Sequence, residues 1–170
     1  MKVRRAAGAV VDIISQQRGP VRGFKHHEPG DTVQANLTFD EAKPDAYDAL
    51  LLPGGALNAD AIRALPQAQQ FVQAIDRAGK PMAVICHAPW LLIDSGVAKG
   101  RTLTSWPSIQ TDLENAGATW VDREVVVDRN LVTSRKPDDI PAFNREFHKL
   151  LEQDGASGGR ATERREPAAV

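Results

Sequence analysis

The sequence of 170 residues lacks the features that mark secreted, membrane-spanning and nucleic-acid-binding chains. Its single cysteine cannot form an internal disulfide, which predicts a cytoplasmic protein. Lysine and arginine number 21 against 22 aspartates and glutamates, so there is no basic excess to hold phosphate backbones, and we expect no nucleic-acid binding. The longest uninterrupted apolar run, Met82 to Cys86, is far shorter than the roughly 20 residues of a membrane span. We therefore expect no membrane association.

Cofactor signatures are also missing from the sequence. It contains neither a G-x-x-x-x-G-K-[ST] loop nor a G-x-G-x-x-G loop, so we expect no nucleotide cofactor. His26 and His27, followed by Glu28, are the one group that suggests a metal. Neighbouring residues on an extended chain point to opposite sides, and no second cluster supports these two histidines. We expect neither a metal nor another cofactor.

Short apolar runs alternate with helical patterns along most of the chain. This alternation predicts an α/β fold with a mainly parallel sheet and helices on both faces. Strands are predicted at residues 10–14, 47–52 and 81–85, and a hairpin at 125–127 and 131–133. Helices are predicted at residues 66–78, 90–95 and 111–116, and from residue 140 onward, the last with Asp138 or Asp139 as its cap.

The composition changes near the end of the sequence. From Asp154 glycine becomes frequent, charges of both signs balance, and almost nothing apolar remains. This composition predicts one domain over residues 1–153 and a disordered tail over 154–170.

The segment around Cys86 carries the strongest chemical signal. A buried strand is followed directly by Cys86, His87 and a helix that has Pro89 in its first turn. A nucleophile at such a turn is held on a tight, exposed elbow, where the helix N-terminus favours a thiolate. His87 could add positive charge or act as a base, although adjacent residues on a helix do not face each other. The alternative is that Cys86 is a small buried apolar residue at a strand end.

A glycine pair follows the preceding strand. In an open parallel sheet the carboxyl ends of the strands form the ligand edge, so Pro53, Gly54 and Gly55 are expected on the same edge as Cys86. Backbone N–H groups of Gly54 and Gly55 would there serve as an oxyanion hole. The alternative is a plain tight turn.

Four blocks of sequence carry a family likeness: YDALLLPGG at residues 47–55, AVICHAP at 83–89, VAKGRT at 97–102 and WVDREVVV at 120–127. They resemble, in family order, the PfpI branch of the ThiJ/PfpI superfamily. SRKPDD at residues 134–139 resembles its general-stress-protein subgroup. The likeness spans about residues 6–151.

The resemblance implies a flavodoxin-like sandwich, similar to that of class I glutamine amidotransferases. It also implies that Cys86 is the nucleophile, His87 its neighbouring histidine and Gly55 a donor in the oxyanion hole. Asp60 matches the acid that a neighbouring subunit presents to the histidine in some members. Members are usually homodimers or larger oligomers with the active site near an interface. They are described as intracellular cysteine peptidases, as deglycases or glyoxalases for methylglyoxal-type adducts, and as stress-response chaperones.

Two departures from the family pattern affect what is expected. Ala88 stands where the family normally has Gly. Family members also begin with a hydrophobic strand and a loop carrying a Glu that hydrogen-bonds the cysteine, and the present sequence begins after both. Loss of a central strand leaves unpaired backbone and an uncovered core. We therefore expect the 170-residue form to express poorly or to aggregate.

Two functions remain open on the sequence. In the first, Cys86 attacks the carbonyl of an aldehyde adduct or, less readily, of a peptide, and His87 moves the proton with Asp60 of another subunit orienting it. In the second, the protein is a redox sensor or holdase in which Cys86 is oxidised to sulfenate or sulfinate. A glutamine amidotransferase is excluded because it needs a downstream His-x-Glu, whereas Leu150 stands two positions after His148.

Overall fold

The computed structural model describes residues 9–25 and 28–157. His26 and His27, which the metal hypothesis concerned, lie outside the described residues, as does the predicted tail beyond residue 157. Within the described part of the chain, no helix combines the length and the apolar character that crossing a membrane requires.

The described residues form ten strands and five α-helices. The strands are β1 (Ile14–Ser15), β2 (Gly19–Lys25), β3 (Glu28–Ala35), β4 (Leu37–Thr38), β5 (Leu50–Leu52), β6 (Met82–Ile85), β7 (Thr102–Leu103), β8 (Thr119–Trp120), β9 (Val126–Asp128) and β10 (Leu131–Ser134). The helices are α1 (Ala56–Arg63), α2 (Pro66–Arg77), α3 (Pro89–Asp94), α4 (Gln110–Asn115) and α5 (Ile140–Ser157). Short 3₁₀ turns at Pro44–Ala46, Pro107–Ile109 and Pro137–Asp139 join some of these elements.

The central sheet has the strand order β5-β6-β10-β9. Met82 of β6 lies in parallel register between Leu50 of β5 and Leu131 of β10. Strand β9 is the edge strand of this sheet and pairs with β10 in the antiparallel direction, so the predicted hairpin is confirmed. The two predicted strands before it are also confirmed, with bounds shorter than the apolar runs. Their carboxyl ends meet on one edge, which places the loops after β5, β6 and β10 together.

Helices cover both faces of this sheet, as the alternating pattern predicts. Met82 and Val84 of β6 point into the larger core cluster, which contains the apolar stripe of α2 and the buried leucines of α3. Ala83, between them, points to the opposite face and packs with Phe143 and Phe147 of α5. Successive strand residues alternate between faces, so one four-residue strand supports both layers of the sandwich.

The predicted first strand is wrong in its extent. Of residues 10–14 only Ile14 is in a strand, where β1 pairs in parallel with β4, and Val10 is 97% exposed. Side-chain bonds hold the chain here instead. The carboxylate of Asp12 accepts from the Asn36 amide at 2.6 Å and from the Tyr47 hydroxyl at 3.2 Å. These side-chain contacts fix the segment, in place of the strand-to-strand backbone hydrogen bonds that the apolar run predicts.

The last helix differs from its prediction at both ends. The carboxylate of Asp139 accepts from the backbone N–H and the guanidinium of Arg135, so Asp139 turns back toward β10 instead of capping α5. At the other end α5 runs through Ser157, past the composition change at Asp154. Backbone hydrogen bonding sets the end of a helix. In α5 this bonding continues beyond the last residues of the apolar stripe.

Candidate active site

Cys86 lies on a strained turn between β6 and α3. Its φ is 67°, and among the described non-glycine residues only Arg129 shares a positive φ. A non-glycine residue keeps this conformation only where its surroundings impose it, and such residues cluster at functional sites. The turn is the strand-to-helix elbow that the sequence pattern predicts, and the thiol on it is partly exposed.

Two distant segments hold the backbone of Cys86 in place. Its N–H donates to the carbonyl of Ser134, at the end of β10, over 3.0 Å. Its carbonyl accepts from the N–H of Trp106 over 2.9 Å. The elbow is therefore fixed by the strand end on one side and by the loop after β7 on the other. These bonds supply the support that a positive φ requires.

His87 faces the thiol, although the two residues are adjacent in sequence. Its Nδ1 lies 3.2 Å from Sγ of Cys86. The imidazole contacts two indoles, with ring centroids 5.4 Å from Trp90 and 5.7 Å from Trp106, and it stacks on Trp106 at 25°. Burial lowers the pKa of His87 below its ordinary value of 6.5. At neutral pH the ring is therefore uncharged and can accept the thiol proton at Nδ1.

The surroundings of His87 lead to a prediction about its titration. An NMR titration of its ring proton is expected to give a pKa below 6.5 in the wild type. Trp106→Ala exposes one ring face to water and is expected to raise that pKa toward 6.5, because desolvation is the cause of the shift. Trp120→Phe, which removes an indole that does not stack on His87, is the control and leaves the pKa unchanged. A wild-type pKa at or above 6.5 would contradict the assignment of a neutral imidazole.

Gly54 packs directly against the cysteine. A Cβ placed on Gly54 would lie 2.5 Å from Cβ of Cys86, closer than real Cβ atoms approach, and 3.3 Å from its Sγ. Gly55, the next residue, has a φ of 103° and precedes α1. The structure thus brings Gly54 to the thiol and gives Gly55 a backbone conformation that glycine adopts readily.

Asp60 is not brought to His87 within one chain. It lies exposed on α1, and no hydrogen bond joins it to the histidine within residues 9–25 and 28–157. Its carboxylate contributes to the field at Arg63, whose pKa is raised chiefly by hydrogen bonding to Asp94. Arg63 in turn lies 5.2 Å from the ring of Trp90. Asp60 therefore belongs to the surface beside the site.

Sequence reasoning missed the cavity next to this site. It has a volume of about 360 Å³ and is lined by Trp106, Pro107, Asp122, Arg135 and Lys136. The loops after β7, β8 and β10 supply these residues, which are far apart in the chain. The proximity of Trp106 to His87 had no sequence signal, because it depends on how those loops meet at the sheet edge. Among the residues with described positions, no group of three or more His, Cys, Asp or Glu side chains could hold a metal ion.

Comparison with known proteins identifies the family. The family model described as DJ-1/PfpI matches residues 1–150. The chain is 48% identical over 144 residues to Deglycase PfpI of Pyrococcus furiosus, covering 85% of this chain and 84% of that protein. It is 44% identical over 153 residues to General stress protein 18 of Bacillus subtilis, covering 89% and 87%. The chain belongs to the DJ-1/PfpI family.

A solved structure supports the same assignment. A two-domain protein from Anabaena variabilis, with DJ-1/ThiJ/PfpI-like and ferritin-like domains, superposes with a TM-score of 0.82 at 33% identity. The match covers 89% of this chain and 43% of that one. The flavodoxin-like fold and the family resemblance that the sequence predicts are both confirmed.

Proposed function

We propose that this protein is a cysteine-dependent hydrolase of the stress response that removes methylglyoxal-type adducts from amines or thiols. The observation that carries the proposal is the 3.2 Å contact between Sγ of Cys86 and Nδ1 of a neutral His87, on an elbow at the carboxyl edge of the sheet. A nucleophile beside a base at such an edge is the arrangement of covalent catalysis. The relatives named as deglycases and as a general stress protein support the same class.

The chemistry needs no external oxidant or reductant. For an amine adduct, R–NH–CH(OH)–CO–CH₃, the Cys86 thiolate forms a C–S bond as the C–N bond breaks, and the amine leaves with a proton. A proton then leaves that carbon and another is added to the neighbouring ketone carbon, so the first carbon is oxidised and the second reduced. Water cleaves the resulting lactoyl thioester, which releases lactate and restores the thiol. His87 accepts and returns the protons at Nδ1.

The oxyanion is assigned to the backbone of Gly54 and Gly55. Gly54 lies against the thiol, so a carbonyl bonded to Sγ is formed beside this turn. Backbone N–H groups fixed before the reaction stabilise the negative charge that develops on its oxygen. A small adduct suits the space better than a long peptide, since the adjoining cavity holds about 360 Å³. Peptide hydrolysis by the same thiol is the second reaction to assay.

The proposal is tested by the products. The purified protein is incubated with a methylglyoxal adduct of N-acetylarginine, and lactate and free N-acetylarginine are measured together. Equal amounts of both, released faster than in buffer, are expected. Absence of lactate, combined with a rise in intact mass of one or two oxygen atoms after mild peroxide treatment, would replace the enzyme with the sensor or holdase function. Cleavage of a peptide without lactate release would indicate a peptidase.

The protein is further inferred to act in the cytoplasm as a homodimer or larger oligomer, with Asp60 of one subunit orienting His87 of another. Asp60 is exposed on α1, and Leu57, three residues earlier on the same face, is 79% exposed. A second subunit placed on this face of α1 would cover Leu57 and bring Asp60 toward a neighbouring site. The single cysteine supports a reducing compartment.

Mixing two impaired variants tests this shared site. Asp60→Asn is expected to lower activity by about tenfold or more through loss of orientation, and Cys86→Ser removes the nucleophile. In a dimer that contains one of each, one site regains both native residues. The mixed sample is then expected to recover about a quarter of the wild-type activity, because half of randomly assorted dimers are mixed. A sample that shows only the sum of its two variants, or a monomer by sedimentation, would contradict the proposal.

A further inference from the structure

The cavity described above adjoins the reactive thiol through two of its residues. Trp106 forms part of its wall and stacks on His87. Arg135 directly follows Ser134, whose carbonyl accepts the N–H of Cys86. A volume of about 360 Å³ lies within the range of small-molecule sites. The cavity therefore adjoins the elbow that carries the thiol.

The guanidinium of Arg135 is not available to a ligand, because carboxylates of the protein already bind it. Its Nε and Nη2 donate to the carboxylate of Asp139 at 2.9 and 3.1 Å, and these bonds, with the one to Asp122, raise the pKa of Arg135. The side chain of Asp139 is only 5% exposed. Burial alone would raise the pKa of Asp139, but the bonds from Arg135 outweigh it and lower that pKa. Asp139 therefore neutralises the charge of Arg135 and fixes its guanidinium in the cavity wall.

Two opposite charges remain available in the lining. Asp122 uses Oδ1 to accept from Arg135 at 2.6 Å, while its side chain is 63% exposed and its Oδ2 has no partner among the described residues. Lys136, 43% exposed, is 3.4 Å from Asp138, which is itself 82% exposed. A pair so exposed contributes little, so the ammonium of Lys136 is free to bind another anion. The cavity thus presents one carboxylate and one ammonium beside an indole.

We propose that Asp122 and Lys136 form a subsite for the zwitterionic head of a free amino acid, whose side chain carries the adduct to Cys86. The α-ammonium pairs with Asp122, the α-carboxylate pairs with Lys136, and the aliphatic part packs on Trp106. This inference rests on the proposed deglycase function and names its substrate class. A residue inside a protein chain has both groups bound in amides and carries neither charge. Nucleotides bring only negative charge, which Asp122 repels.

The test uses four forms of arginine as probes: free, Nα-acetylated, amidated at the carboxyl group, and blocked at both ends. Their Kd values are measured by ligand-observed NMR titration. Free arginine is expected to bind tightest, with a rise in Kd of about fivefold for each blocked charge. Free arginine is also expected to slow the alkylation of Cys86 by iodoacetamide, since its side chain points to the thiol.

Variants assign each charge to its residue. Asp122→Asn is expected to abolish the effect of acetylation alone, and Lys136→Met the effect of amidation alone. Asp138→Asn, outside the lining, and Lys149→Met, on α5, are the matched controls and keep the wild-type pattern. Equal Kd values for the four probes, an unchanged pattern in Lys136→Met, or binding without slower alkylation would overturn the subsite. These readouts need no turnover, so they separate this inference from failure of the lactate assay.

Discussion

Cys86→Ser is expected to lower lactate release by at least about a thousandfold, because a serine hydroxyl beside His87 is not ionised and is a poorer nucleophile. Serine replaces cysteine with almost the same shape, and the bonds that fix this position come from the backbone. The fold is therefore expected to remain intact. Product release and thermal melting by circular dichroism, measured on the same preparation, check both parts of the expectation.

A chemical block of the same sulfur provides the control. The wild-type protein carries one cysteine, so carbamidomethylation modifies this thiol alone. The modified protein is expected to match Cys86→Ser in activity and the untreated protein in secondary structure. Turnover that survives either change would place the chemistry elsewhere and contradict the assignment of Cys86 as nucleophile.

Gly54→Ala is expected to remove most of the activity although Cys86 itself is retained, because the substitution displaces the elbow. The new methyl would lie 2.5 Å from Cβ of Cys86 and 3.1 Å from the carbonyl oxygen of Ile85, so the elbow must move. Overpacking of this kind costs about 1–3 kcal/mol of the free energy of unfolding. We expect slower alkylation of Cys86, at least about a hundredfold lower lactate release from a misplaced thiol, and a lower Tm.

Gly79→Ala separates the local clash from a general loss of stability. Gly79 has a φ of 68°, and a Cβ there meets no atom within 4 Å. An alanine in this conformation costs about 1–2 kcal/mol, but it lies at the end of α2, away from the thiol. The control is expected to melt earlier than the wild type while keeping its rate of Cys86 alkylation. Equal loss of alkylation in both variants would show that stability, and not contact with Gly54, governs the site.

Local sequence signals predicted the centre of the sheet and the elbow. The runs that form β5, β6 and β10 are short, apolar and followed by turn residues. They could therefore be predicted as strands without knowing which strands they pair with. Cys86 followed one of them and preceded a helix with proline in its first turn. Each signal lies within about ten residues of chain. Such local patterns predict the type of element whatever tertiary partners it later finds.

Elements without an apolar pattern could not be predicted. The β2–β3 hairpin is mostly exposed and carries glycine, proline and charged residues, so its pairing rests on backbone bonds that leave no alternation in the sequence. Helix α1 buries only Ala59 and lacks an apolar stripe. The cavity beside Cys86 is a third case. The rule that ligands bind at the carboxyl edge indicated its place, but not that Trp106, Asp122 and Lys136 meet there.

The backbone bonds from Cys86 to Ser134 and Trp106 also bear on how the protein acquires its reactive thiol during synthesis. The ribosome makes the chain from its N-terminus, so the cysteine emerges well before both of its partners. The positive φ at position 86 has no support until the later strand docks beside β6. Contacts between distant segments are among the slower steps of folding. In a nascent chain the thiol is therefore not yet held in its active geometry. The chemistry begins only when the C-terminal half has added its strands to the sheet.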